Sequence, residues 1–236
     1  MKHLLQRWFA PKPQLNPDQA ERLASWRELP EVERTATFDH TRFVVVDVET
    51  TGLNLLTDTL ISIGAVAVVN GRIALGDSFS VVLQQLESSR KENILIHGIS
   101  GSVQREGVPP ADALLAFLDY LGKSPLVAFH VAFDETMIRR AMRRYLGISF
   151  KRPWLDLAYV LPTLYRDLMR GHRALDDWAS HFDIRIDDRH NAVADALATA
   201  ELLLVTIAQA RLAHETRNYD GLRKLERAFH YSRANV

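Results

Sequence analysis

The chain has 236 residues, 47% of them hydrophobic, and its 29 Lys and Arg balance 29 Asp and Glu to a formal net charge of zero. That length suits one domain with a sizeable core plus appended structure, and neutrality excludes attraction to nucleic acid by an overall field, leaving local patches or bound metal. Cysteine is absent, which excludes disulfides, thiolate nucleophiles and cysteine-ligated zinc and agrees with a reducing compartment.

From the N-terminus, Leu4, Leu5, Trp8 and Phe9 recur at helical spacing beside Lys2, His3 and Arg7, until Pro11 and Pro13 break the pattern. A short amphipathic helix of this kind covers its own domain, docks a partner or touches a membrane surface. Asn16-Pro17-Asp18-Gln19 then carries an N-cap, a first-turn proline and a capping-box glutamine, so a helix is expected from there to about Leu29, stopped by Pro30. Residues 1–37 read as a helical extension, 38–210 as the main domain and 211–236 as a basic helix or tail, with Arg223, Lys224, Arg227 and Arg233 against Asp220 and Glu226. No apolar run approaches the roughly 20 residues that span a bilayer, and no signal sequence is visible. A soluble cytoplasmic protein without membrane contact is the expectation.

Val44-Val45-Val46-Asp47-Val48-Glu49 follows. A continuous β-branched run predicts a strand buried on both faces, and residues i and i+2 point to one side, so Asp47 and Glu49 project together. Two carboxylates side by side at the end of an apolar strand call for a cation between them. On this segment alone, the solvated end of an edge strand turning at Thr50 is an equal alternative. Two more strands are expected over 59–69 and 73–83, joined as an antiparallel hairpin by Asn70-Gly71.

From Pro109 onward helical periods alternate with one short strand over 126–129, an α/β pattern. In the helix after Phe129-His130, Asp134 shares a face with Ile138, Ala141 and Tyr145, either as a helix cap or as an inward acid. Arg139, Arg140, Arg143 and Arg144 form the opposite face, solvated or tracking phosphate. The last long helix, beginning near His190-Asn191, is apolar nearly all round except for Asp195. No basic residue lies one helical turn from Asp195, so a metal or a distant arginine must compensate it. His190 is close enough in sequence to share that site.

Asp47-Val48-Glu49-Thr50-Thr51-Gly52, His130-Val131-Ala132-Phe133-Asp134 and His190 with Asp195 occur in an order and spacing that resemble the DnaQ-like exonucleases of the DEDDh group. Ile96-His97-Gly98-Ile99-Ser100 resembles that family's substrate-pocket segment, and Asp156-Leu157 ahead of a helix is a further likeness. The chain departs from the family at Ala128-Phe129-His130-Val131, where members often have Ala-His-Asn-Ala. The resemblance covers about 41–210 and implies an RNase H-like fold, a mixed five-stranded sheet flanked by helices, with the fifth strand near Trp154-Leu155.

The resemblance also implies a set of roles. Asp47, Glu49, Asp134 and Asp195 become ligands of two magnesium or manganese ions, and His190 becomes the general base. Thr50, Gly52, Leu53, His97, Gly98 and His130 become substrate contacts. Gly52 would let the backbone approach a ligand closely, and Leu53 would face the terminal base. The expected activity is 3′-5′ exonuclease action on single-stranded or frayed DNA ends in proofreading or repair, releasing 5′-mononucleotides; RNA ends are the alternative substrate. A DNA polymerase subunit is the expected partner. A mere scaffold that recruits a polymerase would be favoured by loss of an acidic ligand, and none is lost.

Overall fold

The computed structural model describes residues 13–234, so the amphipathic segment expected within 4–9 lies outside the described residues. Asn16 starts the first described helix, α1 (Pro17–Glu28), by the expected reciprocal cap: its side chain accepts from the Gln19 N–H at 2.8 Å, and the Gln19 side chain accepts from the Asn16 N–H at 3.1 Å. Strand β1 (Arg42–Thr50) pairs antiparallel with β2 (Leu60–Val69), and β2 pairs antiparallel with β3 (Arg72–Val82). Asn70 and Gly71 turn that hairpin with φ of 53° and 68°, the left-handed pair that matches strand twist.

Three helices follow: α2 (Lys91–His97), α3 (Gly101–Arg105) and α4 (Pro110–Leu121). Strand β4 (Leu126–Ala128) then runs parallel to β1, and after α5 (Val131–Ala141) strand β5 (Trp154–Asp156) runs parallel to β4. The chain closes with α6 (Leu157–Leu164), α7 (Leu175–His181), α8 (Ala192–His214) and α9 (Tyr219–Ala234). The five strands lie in the order β3-β2-β1-β4-β5, the mixed sheet of an RNase H-like α/β fold.

Alternation along β1 divides the core into two layers. Val44, Val46 and Val48 pack with residues of α1, α4 and α5, while Phe43 and Val45 pack with residues of α6 to α9. Asp47 and Glu49 continue the second face at its open end. The flanking helices are fastened to these layers by polar contacts as well. In α1, Trp26 donates its indole N–H to the Gly122 carbonyl at 2.8 Å, and the Arg22–Asp119 pair closes at 2.7 Å. In α9, the buried Tyr219 hydroxyl donates to the Trp154 carbonyl at 2.8 Å.

Helix α8 has 23 residues and is long and apolar enough, by length and composition only, to cross a membrane, although no uninterrupted apolar run in it approaches that length. Asp195 and Glu201 interrupt the run in the sequence, which hid its length. In the fold α8 lies along the sheet, with Ala200, Leu203 and Ile207 buried in the second core layer.

Candidate active site

Strand register and one glycine bring the acids together. Asp47 stands opposite Gly64 across the β1–β2 ladder, and a Cβ on Gly64 would lie 2.3 Å from the carbonyl carbon of Ala192, the first residue of α8. The missing side chain lets the helix start rest on the strand backbone. Asn191 fixes that start by accepting from the N–H of Val193 at 3.1 Å. Asp195, one turn in, thereby comes level with β1, and one oxygen from each of Asp47, Glu49 and Asp195 lies within 4.8 Å of the others.

Asp134 approaches from the first turn of α5, buried, and stands outside that group of three. The start of α5 is tied down by Asp156 at the end of β5, whose carboxylate accepts from the N–H of His130 at 3.0 Å, of Val131 at 2.9 Å and of Ala158 at 3.0 Å. His130 itself adopts a left-handed φ of 65° to let the helix begin.

The electrostatics of this acid group are adverse without a cation. Burial, then the charges of Asp134, Asp195 and Glu49, hold the Asp47 carboxyl well above the usual carboxylate range. Burial and Asp195 push Glu49 up to about 8. Asp134 is raised well above its usual value, first by burial, against the pull of its own N–H and that of Val48, with Asp156 and Glu49 adding to the rise. Asp195 is raised by burial, with Arg189 opposing. Like charges forced together out of water favour protons or a metal ion between them. One oxygen of Asp195, Oδ1, is buried with no hydrogen-bond partner. An orphaned hard oxygen on a carboxylate that is grouped with two more fits a magnesium-like ion.

Arg189 is the functional-looking residue that helical spacing missed. Its Nη1 donates to Asp195 Oδ2, and its Nε donates to Asp176 Oδ1 at 2.6 Å. The counter-charge to Asp195 therefore comes from the turn before the helix. His190 follows with a left-handed φ of 64° and an exposed ring; its backbone N–H donates to Asp195 Oδ2 at 3.2 Å.

The remaining expected residues are spread around this centre. His130 lies with Asp47, Phe129, Arg173 and Arg189 on a cavity of about 430 Å³, and its Nε2 is 3.1 Å from the Arg173 carbonyl. Thr50 donates its hydroxyl to the Gly52 carbonyl at 2.7 Å, and Leu53 beyond is 85% exposed. At Gly52 the close approach is made by a side chain of this chain: a Cβ there would meet Asp58 Oδ2 at 2.6 Å, because Asp58 folds back to accept from the Asn54 N–H at 2.7 Å. His97 is buried, with Nε2 3.2 Å from the Ser89 hydroxyl and Nδ1 accepting from the Ile99 N–H at 3.0 Å, and Gly98 ends α2 at φ 70°. The Asn93 amide, on α2, donates to the Thr51 carbonyl, so the two loops are joined. Arg140, from the basic face of α5, donates to the carbonyls of Leu55, Leu56 and Asp58 and braces the loop after Leu53. Arg139 pairs with Glu135 at 3.5 Å.

The RNase_T exonuclease family model matches residues 44–203. The DNA polymerase III PolC-type protein of Clostridium perfringens is 35% identical over 162 residues, covering 68% of this chain and 11% of that protein. The Bacillus subtilis protein of the same name is 31% identical over 169 residues, covering 71% of this chain and 12% of that one. The chain thus spans only about a ninth of the length of these curated relatives. Among solved structures, E. coli Exonuclease I in complex with a dT13 oligonucleotide superposes with a TM-score of 0.62 at 18% identity, over 74% of this chain and 43% of that one. Exonuclease X in complex with 5′ overhanging duplex DNA does so with a TM-score of 0.56 at 19% identity, over 76% of this chain and 99% of that one. At such identities the likeness establishes the fold.

Proposed function

The chain belongs to the exonuclease family, on its DnaQ-like 3′-5′ side, and from that membership we propose that it hydrolyses the terminal phosphodiester at 3′ ends of DNA and releases 5′-mononucleotides. The observation that carries this reading is the meeting of Asp47, Glu49 and Asp195 oxygens within 4.8 Å, with the buried Oδ1 of Asp195 unpartnered. Asp47, Glu49, Asp134 and Asp195 would hold two magnesium or manganese ions, which stabilise charge on the attacking and leaving oxygens of a phosphoryl displacement.

His190 takes the proton of the attacking water, its exposed imidazole standing just ahead of α8. The water oxygen bonds to phosphorus as the bond to the preceding 3′-oxygen breaks, and that oxygen takes a proton from solvent, which leaves a shortened strand with a free 3′-hydroxyl. Exposed Leu53 covers the terminal base, the Thr50–Gly52 turn contacts the terminal nucleotide, and His130 contacts it from the cavity that it shares with Asp47. His97, internally bonded through both ring nitrogens, shapes the neighbouring loop with Gly98.

A terminal nucleotide must leave its stack to reach such a site at a cost of a few kcal/mol, so single-stranded and frayed ends are the preferred substrates. DNA is favoured by the relatives' name and by the oligonucleotide bound to Exonuclease I; we assign a proofreading or repair role in the cytoplasm, beside a DNA polymerase subunit. The test is a time course on 5′-labelled DNA and RNA oligonucleotides, single-stranded, paired and mismatched, with magnesium or with chelator. The expected result is a DNA ladder shortening by single nucleotides, fastest on unpaired ends, blocked by a 3′-phosphate and abolished by chelator. Internal cuts, or full activity in chelator, would overturn the reading.

A further inference from the structure

The Arg189 guanidinium stands between two acids of opposite character. Asp195 has a side chain 4% exposed and Asp176 one 60% exposed, and Arg189 donates to both at once. It also lines the cavity that it shares with Asp47. Its positive charge opposes the upward shifts of the Asp47, Glu49 and Asp195 carboxyls. An arginine serving only to neutralise a structural aspartate would be expected to leave a satisfied carboxylate, yet Asp195 Oδ1 remains buried and unpartnered.

The backbone around Arg189 is anchored independently of its guanidinium. The His190 N–H bonds Asp195, the Asn191 N–H donates to the Asp188 carbonyl at 3.2 Å, and the Asn191 amide donates to the Asp188 carboxylate at 3.0 Å. The long side chain can therefore leave Asp195 while the turn that carries His190 keeps its shape. Asp176, on the solvent side, offers the place to go.

Resting on the reading of the acids as metal ligands, we propose that Arg189 is an internal counter-cation that competes with a divalent ion for Asp195 and withdraws onto Asp176 when the ion binds. In the metal-free protein it relieves repulsion among the acids. It thereby lowers the site's affinity for the ion, because each bound ion must displace a favourable pair.

The experiment is calorimetric titration of the full-length chain with Mn²⁺ at fixed pH and ionic strength. Arg189→Gln is expected to tighten Mn²⁺ binding by about 10-fold, on the scale of a coupling between two mutually exclusive cations. Arg189→Lys, which keeps the charge, should stay within about 3-fold of wild type. Asp176→Asn should weaken binding by about 3-fold in the wild-type background and have no effect in the Arg189→Gln background, because it acts through Arg189. Equal or weaker binding in Arg189→Gln, or the same Asp176→Asn factor in both backgrounds, would overturn the inference while leaving the metal reading intact. A wild-type chain that binds no Mn²⁺ would overturn the metal reading and this inference with it.

Discussion

Each carboxylate around β1 is costly in the metal-free fold, and that cost is what makes its removal informative. Substituting Asp47, Glu49, Asp134 or Asp195 by alanine is expected to abolish turnover, measured on 5′-labelled single strands. Replacing Asp47 should also raise the melting temperature in chelator, since it removes a carboxyl that burial and three neighbouring acids disfavour; a lower melting temperature would contradict this. For His190, alanine should reduce turnover by roughly 10²- to 10⁴-fold and leave Mn²⁺ binding intact. A variant with wild-type turnover across the acid limb of the rate profile would remove His190 from the mechanism. Type and spacing put Asp47 and Glu49 on one side of a strand and marked Asp195 as an anomaly on an apolar helix, while the family resemblance added Asp134 and the ligand roles. Arg189 was not legible, because its partner lies six residues on, across a turn whose left-handed His190 no helical spacing describes. Nor was the occupant of Gly52's free space, which is set by a carboxylate six residues later folding back over it.

Between elements, the decisive contact is α8 on β2. Gly64→Ala would drive a methyl group into the backbone of Ala192 and Val193, 2.3 and 2.4 Å from where its Cβ must sit. Backbone on both sides cannot yield as a side chain would, so the helix start must lift. The variant is expected to lose about 1–3 kcal/mol of stability, the usual range for overpacking, and to bind Mn²⁺ more weakly because Asp195 moves away from Asp47. Denaturant unfolding together with Mn²⁺ titration checks both effects; unchanged metal affinity would separate the helix seat from the site. The sequence reading passed over Gly64 inside its apolar strand, because the element that approaches it is set by the tertiary fold. Strands β1 to β3 and their hairpin could be read from β-branched runs and Asn70-Gly71. Strand β5 could not: three residues, Trp154–Asp156, carry no period, and only the family resemblance suggested a strand there.

At the scale of the whole molecule, the raised carboxyls predict how stability depends on pH. Glu49 moves from 4.5 to about 8 on folding, and Asp47, Asp134 and Asp195 also rise. The metal-free folded chain therefore holds protons that the unfolded chain has released, so stability from these groups is fully present below their unfolded pKa and is lost as pH rises through the folded one. Asp77 and Asp177, held low by Arg42 and by backbone N–H groups respectively, act in the opposite sense but in more acidic solution. His97, lowered by burial, opposes the trend near its ordinary value of 6.5. In chelator the melting temperature should fall from pH 5 to pH 8, less steeply in Glu49→Gln, and magnesium should restore it at pH 8. A rise with pH in chelator that Glu49→Gln leaves unchanged would contradict the assignment.

The central claim is that β1, α5 and α8 converge to hold the ions that the exonuclease reaction uses. Anomalous diffraction from crystals soaked in Mn²⁺ tests it most directly. The account predicts two anomalous peaks within ligand distance of the carboxylates of Asp47, Glu49, Asp134 and Asp195, with the Arg189 guanidinium withdrawn from Asp195. Mn²⁺ peaks elsewhere, with none among these four acids, would contradict it.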